Sequence, residues 1–336
     1  MRAVVYSETG GPDVLKLVDR PVADPGRGEV RVRVVFSGVN PTDWKARASS
    51  ADFSNGEIIP NQDGSGVVDA VGSGVEGLSV GDHVWTYLSA YQRPTGTAAE
   101  FTVLPAERVV KLPDGASFEL GASLGVPAMT AHRALTVAEH GPSRLAPGAL
   151  DGRTVLVAGG AGAVGHAAIQ LARWAGATVV TTISGPEKAA LATAAGAHHV
   201  VNYREQDAAA EIRRIAPDGV DQVVEVSPAR NSRLNQAVVA NHGSIAVYAN
   251  DGGDEVTLDV RGHFATNVRY QFLLLYTVGQ AALDAAAEDV TRAVADGALP
   301  VGPEHGLPLV IFPLASTGEA HAAVEGGTVG KVLVEI

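Results

Sequence analysis

Cysteine is absent from the 336-residue sequence. Its absence excludes disulfides, thiolate zinc sites, iron–sulfur clusters and a cysteine nucleophile together. Basic residues are scarce beside acidic ones: Lys and Arg total 25 against 37 Asp and Glu, a formal charge of −12. A surface of that sign repels phosphate backbones and anionic lipid, so nucleic acid and membrane are not expected partners. Long apolar runs are missing as well. The richest windows, such as residues 272–275, are far too short to span a bilayer. Residues 1–6 lack the apolar stretch of a secretory signal, so the expectation is a cytoplasmic protein.

Glycine, in contrast, is abundant at 39 residues, well above the usual ~7%. Such density without collagen periodicity implies many tight turns and a loop where backbone approaches a ligand. The length suits two domains at roughly 100–200 residues each. Residues 29–36 alternate Val30, Val32 and Val34 with Arg31 and Arg33, the pattern of a strand with one buried face. Further short strands, punctuated by Pro, Gly and Asp, extend to about residue 125 and predict a β-rich, barrel-like domain. From residue 126 apolar strands alternate with helices of about ten residues, including a helix at 163–175 and another near 234–241. That alternation predicts a parallel sheet of βαβ units. After residue 265 the pattern is mixed, with a strand near 268–275, a helix at 280–295 and a last strand at 331–336. The expected division is residues 1–125 with 266–336 in the β-rich domain, and 126–265 in the parallel-sheet domain.

Gly160, Gly162 and Gly165 fit G-x-G-x-x-G between a buried strand and a helix, the context that a dinucleotide loop requires. Gly160, Ala161, Gly162, Ala163, Val164 and Gly165 are therefore the expected pyrophosphate cradle, with unpaired N–H groups of the helix start facing the phosphates. Gly72, Gly74 and Gly77 match the same spacing, but residues 78–82 cannot open a helix, so turns are expected there. NAD-preferring loops place an acid about 20 residues on, where this chain has Ser184. Ser184 can donate to a 2′-phosphate, Lys188 adds positive charge, and Tyr203 and Arg204 could close over the pocket. The balance favours NADPH, although Glu187 opposes it and Lys188 could equally be a solvated helix residue.

These features, with Gly38-Val39-Asn40-Pro41-Thr42-Asp43 and the closing Gly330-Lys331-Val332, resemble the medium-chain dehydrogenase/reductase superfamily. Within it the chain is similar to zeta-crystallin-type NADPH:quinone oxidoreductases over nearly its whole length. The resemblance implies an α/β protein: a GroES-like β-rich catalytic domain and an inserted Rossmann domain, a doubly wound parallel sheet that binds nucleotide. It implies Asn40, Asp43 and Thr130 at the nicotinamide end, Ser184, Lys188 and Tyr203 at the adenosine phosphate, Lys331 among the cofactor residues, and a homodimer. Asn40 and Asp43 also suit a turn for its own sake.

Two departures sharpen the expectation. Where zinc-dependent members of the superfamily carry a cysteine and Gly-His-Glu, this chain reads Ser37-Gly38-Val39-Asn40 and Asn61-Gln62-Asp63-Gly64. No metal site is expected. Where quinone reductases often carry tyrosines after the Asn turn, it has Trp44, a candidate stacking face, and Lys45, which would change the pocket's charge. The expected activity is metal-free hydride transfer from NADPH to a quinone. Enone, enal or enoyl double-bond reduction is the alternative, with Tyr91 or Trp44 as proton donor and Tyr87 as a further tyrosine to test. A non-enzymatic RNA-binding or structural role stands as a third reading.

Overall fold

The computed structural model describes every residue except Asn55. Two compact units make up the chain: Met1–Val126 with Leu309–Ile336, and Pro127–Pro308. The return to the first unit falls at Leu309, not at 266. Residues 266–308 stay with the second unit because they add a sixth strand to its parallel sheet.

The first unit opens with the antiparallel pair β1 (Arg2–Val5) and β2 (Lys16–Asp19). There follow β3 (Glu29–Val39), α1 (Pro41–Lys45), β4 (Asp63–Val71), β5 (His83–Thr86), β6 (Phe101–Pro105), β7 (Val109–Lys111) and α2 (Phe118–Gly121). The helix α3 (Gly125–Leu135) leads into the second unit. That unit contains β8 (Thr154–Ala158), α4 (Ala163–Trp174), β9 (Thr178–Ile183), α5 (Pro186–Ala194), β10 (His199–Asn202), α6 (Ala208–Ile215) and β11 (Val220–Glu225). It continues through α7 (Pro228–Val238), β12 (Val239–Val247), α8 (Val260–Phe264), β13 (Arg269–Phe272) and α9 (Gln280–Ala295). The chain ends with β14 (Leu309–Pro313), α10 (Thr317–Glu325) and β15 (Lys331–Glu335) back in the first unit.

Strand β3 organises the first unit. Along one edge it pairs with β4, and along the other with β6 at residues 29–33 and then β15 at residues 36–39. Register shifts at Arg31/Val32 and Val34/Phe36 bend it between these partners. The valine alternation buries Val30, Val32 and Val34, the first two in a cluster with Val68, Val84 and Leu104. Beyond the bend, Phe36–Val39 is buried on both faces, where the strict alternation of the sequence ends.

In the second unit the strands are parallel in the order β10-β9-β8-β11-β12-β13. This is the doubly wound 3-2-1-4-5-6 arrangement, which reverses direction between β8 and β11 and offers a ligand crevice at the carboxyl ends there. Leu156, Val180, Val201, Val223 and Ile245 form the core with Ile212 and Val238. Helix α7 lies earlier than expected, because Pro228 sets its first turn. The adjacent Val238–Val239 pair then passes straight into β12, which places Asn241 on a strand.

Candidate active site

The glycine-rich loop joins β8 to α4 at the reversal point of the sheet. Gly159 turns with φ of +72° and donates its N–H to Thr182 O at 3.1 Å. The three motif glycines have separate steric reasons. A Cβ on Gly160 would lie 2.2 Å from Thr181 Oγ1, and one on Gly165 would lie 2.4 Å from Gly159 O. Both positions let α4 pack on the strand. Gly162 is exposed, and among the described residues the one atom within 4 Å of its would-be Cβ is Gly159 O at 3.5 Å. Its side-chain space is open to a ligand. His166 N–H reaching Gly162 O at 2.7 Å is the first turn's closing bond, so the N–H groups of Ala163, Val164 and Gly165 have no intrahelical acceptor. Ala161 is buried beneath the loop. A pyrophosphate fits this cradle by charge and by the absence of side chains.

The neighbouring β9–α5 turn presents Ser184, half-buried, and Lys188, exposed in the first turns of α5. Tyr203 N–H donates to Ile183 O at 3.1 Å, which carries its exposed ring to the tip of the same strand. Structure thus gathers Ser184, Lys188 and Tyr203 at one end of β9 and β10, with no carboxylate on the strand tip itself. Thr130 also belongs to the second unit, buried on α3.

Asn40, Asp43, Trp44 and Lys45 lie in the first unit. Asn40 caps α1, and its N–H donates to Asp43 Oδ2 at 2.7 Å. Trp44 is half-buried, and the Lys45 ammonium sits 5.9 Å from its ring centroid, within cation–π range. Lys331 differs from its expected place among cofactor residues. Its side chain is enclosed in the first unit, 2% exposed, with Nζ 2.7 Å from Asn40 Oδ1 and 3.3 Å from Val39 O. Asp63, which sequence reasoning treated only as a departure from a metal motif, completes this cluster. It accepts from Asn40 Nδ2 at 2.6 Å and from Val126 N at 2.9 Å, and lies 3.7 Å from the Lys331 ammonium.

Burial governs the charges here. It raises the Asp63 carboxyl above the usual range, against the pull of Lys331 and two hydrogen bonds. Asp43 is pushed up to about 8, first by burial and then by Asp63. The same burial lowers the Lys331 ammonium. A divalent metal does not fit this donor set: the Asn40 and Asp63 oxygens already face an ammonium, which would repel a second cation. Among the described residues, no group of three or more His, Cys, Asp or Glu side chains is placed to hold a metal ion.

A second buried chain leads away from the cluster and was not legible as a site. His321 Nε2 donates to Asn61 Oδ1 at 2.8 Å, and Asn61 Nδ2 donates to Ser37 Oγ at 2.9 Å. Ser37 Oγ meets Thr97 Oγ1 at 2.7 Å, and Thr97 Oγ1 donates to Asp63 O at 2.6 Å. Because the threonine's one proton goes to Asp63, Ser37 is the donor to Thr97. Burial and the nearby Arg47 hold His321 down to about 3, which keeps it neutral. Of the tyrosines considered as proton donors, Tyr87 has its hydroxyl proton committed to Glu107 O at 2.7 Å, whereas Tyr91 OH accepts from Gln92 Nε2 at 3.3 Å.

The family model of the alcohol dehydrogenase GroES-like domain matches residues 26–114, and that of zinc-binding dehydrogenases matches residues 163–292. A quinone oxidoreductase from Pongo abelii is 31% identical over 345 residues, spanning 99% of this chain and 97% of that protein. The chain belongs to the quinone oxidoreductase family of medium-chain dehydrogenases/reductases. A 2-haloacrylate reductase from a Burkholderia species is 30% identical over 347 residues, 99% of this chain and 98% of that protein. The solved structure of a mycobacterial quinone oxidoreductase is 30% identical, with a TM-score of 0.85, and that of a mycobacterial protein complexed with NADPH is 31% identical, with a TM-score of 0.83; both cover 100% of this chain and of the matched chain. As a member of this family, the chain carries a GroES-like domain in its first unit and a Rossmann domain in its second.

Proposed function

We propose that this protein is an NADPH-dependent quinone reductase that works without a metal. The observation that carries the reading is the intact phosphate cradle of the second unit, where Gly162 leaves its side-chain space open beside the free N–H groups of the α4 start. Gly160 to Gly165 receive the pyrophosphate, and Ser184, Lys188 and Tyr203 receive the adenosine phosphate. Bound NADPH supplies a hydride from C4 of its nicotinamide. A quinone accepts that hydride and takes its proton from water, so no Lewis acid and no dedicated acid are required. Asn40 meets the acceptor oxygen, Thr130 orients the reacting groups, Asp43 holds the Asn40 turn, Trp44 offers a stacking face, and Lys45 tunes the charge of the pocket.

The likeness to a 2-haloacrylate reductase supports a second reading, reduction of an activated carbon–carbon double bond. Oxidation of NADPH by EDTA-treated protein separates the two. Turnover of a planar ortho-quinone without turnover of a 2-alkenal supports the first reading, and the reverse preference replaces it. A cytoplasmic location, no nucleic-acid partner and a homodimer complete the proposal. The homodimer is supported by the edge strand β13, where Phe272 is 59% exposed and Leu274 just beyond it 57%. Light scattering on a size-exclusion column tests it, and a monomer would sink it.

A further inference from the structure

The Asn40 carboxamide is locked by two charged neighbours whose chemistry leaves one orientation. Lys331 Nζ can only donate, so the amide atom 2.7 Å from it must be the oxygen. Asp63 Oδ2, 2.6 Å from the other amide atom, accepts, so that atom is the nitrogen. The sheet register makes the arrangement possible. Gly38 lies opposite Asp63 on β4 and opposite Leu333 on β15, so Asn40, just past the end of β3, meets Lys331, the first residue of β15. A Cβ on Gly38 would stand 3.2 Å from both Asp63 Cβ and Lys331 Cε, and 2.2 Å from Ala122 O. Gly125 is also required, since a Cβ there would fall 2.1 Å from Asp63 Oδ1.

We propose that Lys331 is a positioning residue: its buried ammonium, paired with Asp63, fixes and polarises the Asn40 carboxamide so that the remaining Nδ2 proton meets charge developing on the acceptor oxygen. This deepens the reductase reading and rests on it. An ammonium drawing on Oδ1 makes the Nδ2–H a stronger donor, and a carboxylate on the other proton removes the option of an amide flip. Donors aimed at a developing oxyanion are worth about 10²–10³ in kcat when removed. Lys331 itself, enclosed behind Asn40, touches no acceptor.

The test is a double-mutant cycle on the full-length protein: wild type, Asn40→Ala, Lys331→Met and the double variant, assayed for kcat and KM with NADPH and the better acceptor. Lys331→Met is expected to lower kcat at least tenfold with the KM for NADPH unchanged. If Lys331 acts through Asn40, the double variant loses no more than Asn40→Ala alone. Additive losses, or wild-type kcat in Lys331→Met, overturn the proposal. Should Lys331→Met fail to fold because Asp63 is left unpaired, Asp63→Asn/Lys331→Met removes both charges. It is expected to regain thermal stability but not kcat, and wild-type kcat in it likewise overturns the proposal. If the wild type turns over neither a quinone nor an alkenal, the reductase reading fails on its own. The cycle is then read on thermal midpoints, where additive shifts reject the coupling between residues 40 and 331.

Discussion

Replacing the three motif glycines one at a time by alanine separates a ligand cradle from a packing motif. Gly165→Ala drives a methyl group to 2.4 Å from Gly159 O and 2.9 Å from Gly160 Cα, both backbone atoms that cannot swing aside. Gly160→Ala meets Thr181 Oγ1 at 2.2 Å and Ile169 Cδ1 at 2.8 Å, and also disturbs the Thr181 bond to Val157 O. Overpacking of this kind costs roughly 1–3 kcal/mol, and each kcal/mol lowers the melting point of a domain this size by about 2–4 °C. Gly162→Ala meets nothing closer than 3.5 Å and needs no left-handed backbone, since its φ is −83°. Its melting point should therefore stay within about 2 °C of wild type, the scale of a weakened N-cap. Its methyl group nevertheless fills the space where backbone must meet pyrophosphate. NADPH affinity, read by quenching of protein fluorescence, should fall at least ~10-fold, equivalent to about 1.4 kcal/mol. Differential scanning fluorimetry on the same samples completes the comparison. Wild-type affinity in Gly162→Ala, or a large loss of stability in it, would refute the assignment of that open space to the phosphates.

Lys188→Glu places a carboxylate beside the adenosine phosphate, so the Kd for NADPH should rise about tenfold or more while that for NADH changes little; equal changes for both cofactors would remove Lys188 from the site. His321 is held down to about 3 by burial, so it stabilises the fold above its ordinary range, and that contribution fades as pH falls from about 6.5 toward 3. The whole effect is on the order of 5 kcal/mol, and chemical denaturation of His321→Gln should show a flatter loss of stability than wild type across that window. Tyr87→Phe removes a hydroxyl committed to Glu107 O, costing about 1 kcal/mol. Its alkenal rate should match wild type, and a tenfold fall would restore Tyr87 as a proton donor.

What was legible in the sequence was whatever is encoded at short range. The G-x-G-x-x-G spacing carries its own steric logic, so the loop at 160–165 could be separated from the match at 72–77 by the element that follows. That second match indeed turns, with positive φ at Gly74 and Gly77 and no helix after it. Long-range register was hidden. Nothing local marks Lys331 as the partner of Asn40, 291 residues away, because the pairing arises from two strands meeting β3. The boundary at 266 failed for a related reason. Strand β13 is a short edge strand with Phe272 exposed, and only its parallel register with β12 assigns it to the second unit.

The charge arithmetic of the first-unit cluster explains how this chain departs from a metal-binding relative without losing the turn. Asp43 and Asp63 are two buried carboxyl groups facing one ammonium, so with all three ionised the cluster would carry a net negative charge in a dry interior. Such a charge is costly, and the cheapest relief is a proton. Burial raises both carboxyl groups toward the protonated form, and Asp43 also feels Asp63 as a like-charged neighbour. A carboxyl held high in the folded state favours the fold at low pH, and that contribution is lost as pH rises through about 8. The slope is opposite in sign to that of His321. Burial thus favours the neutral form of both His321 and Asp43, with opposite dependence on pH. The Lys331 ammonium supplies positive charge at the Asn40 turn, at a position set by sheet register instead of by coordination.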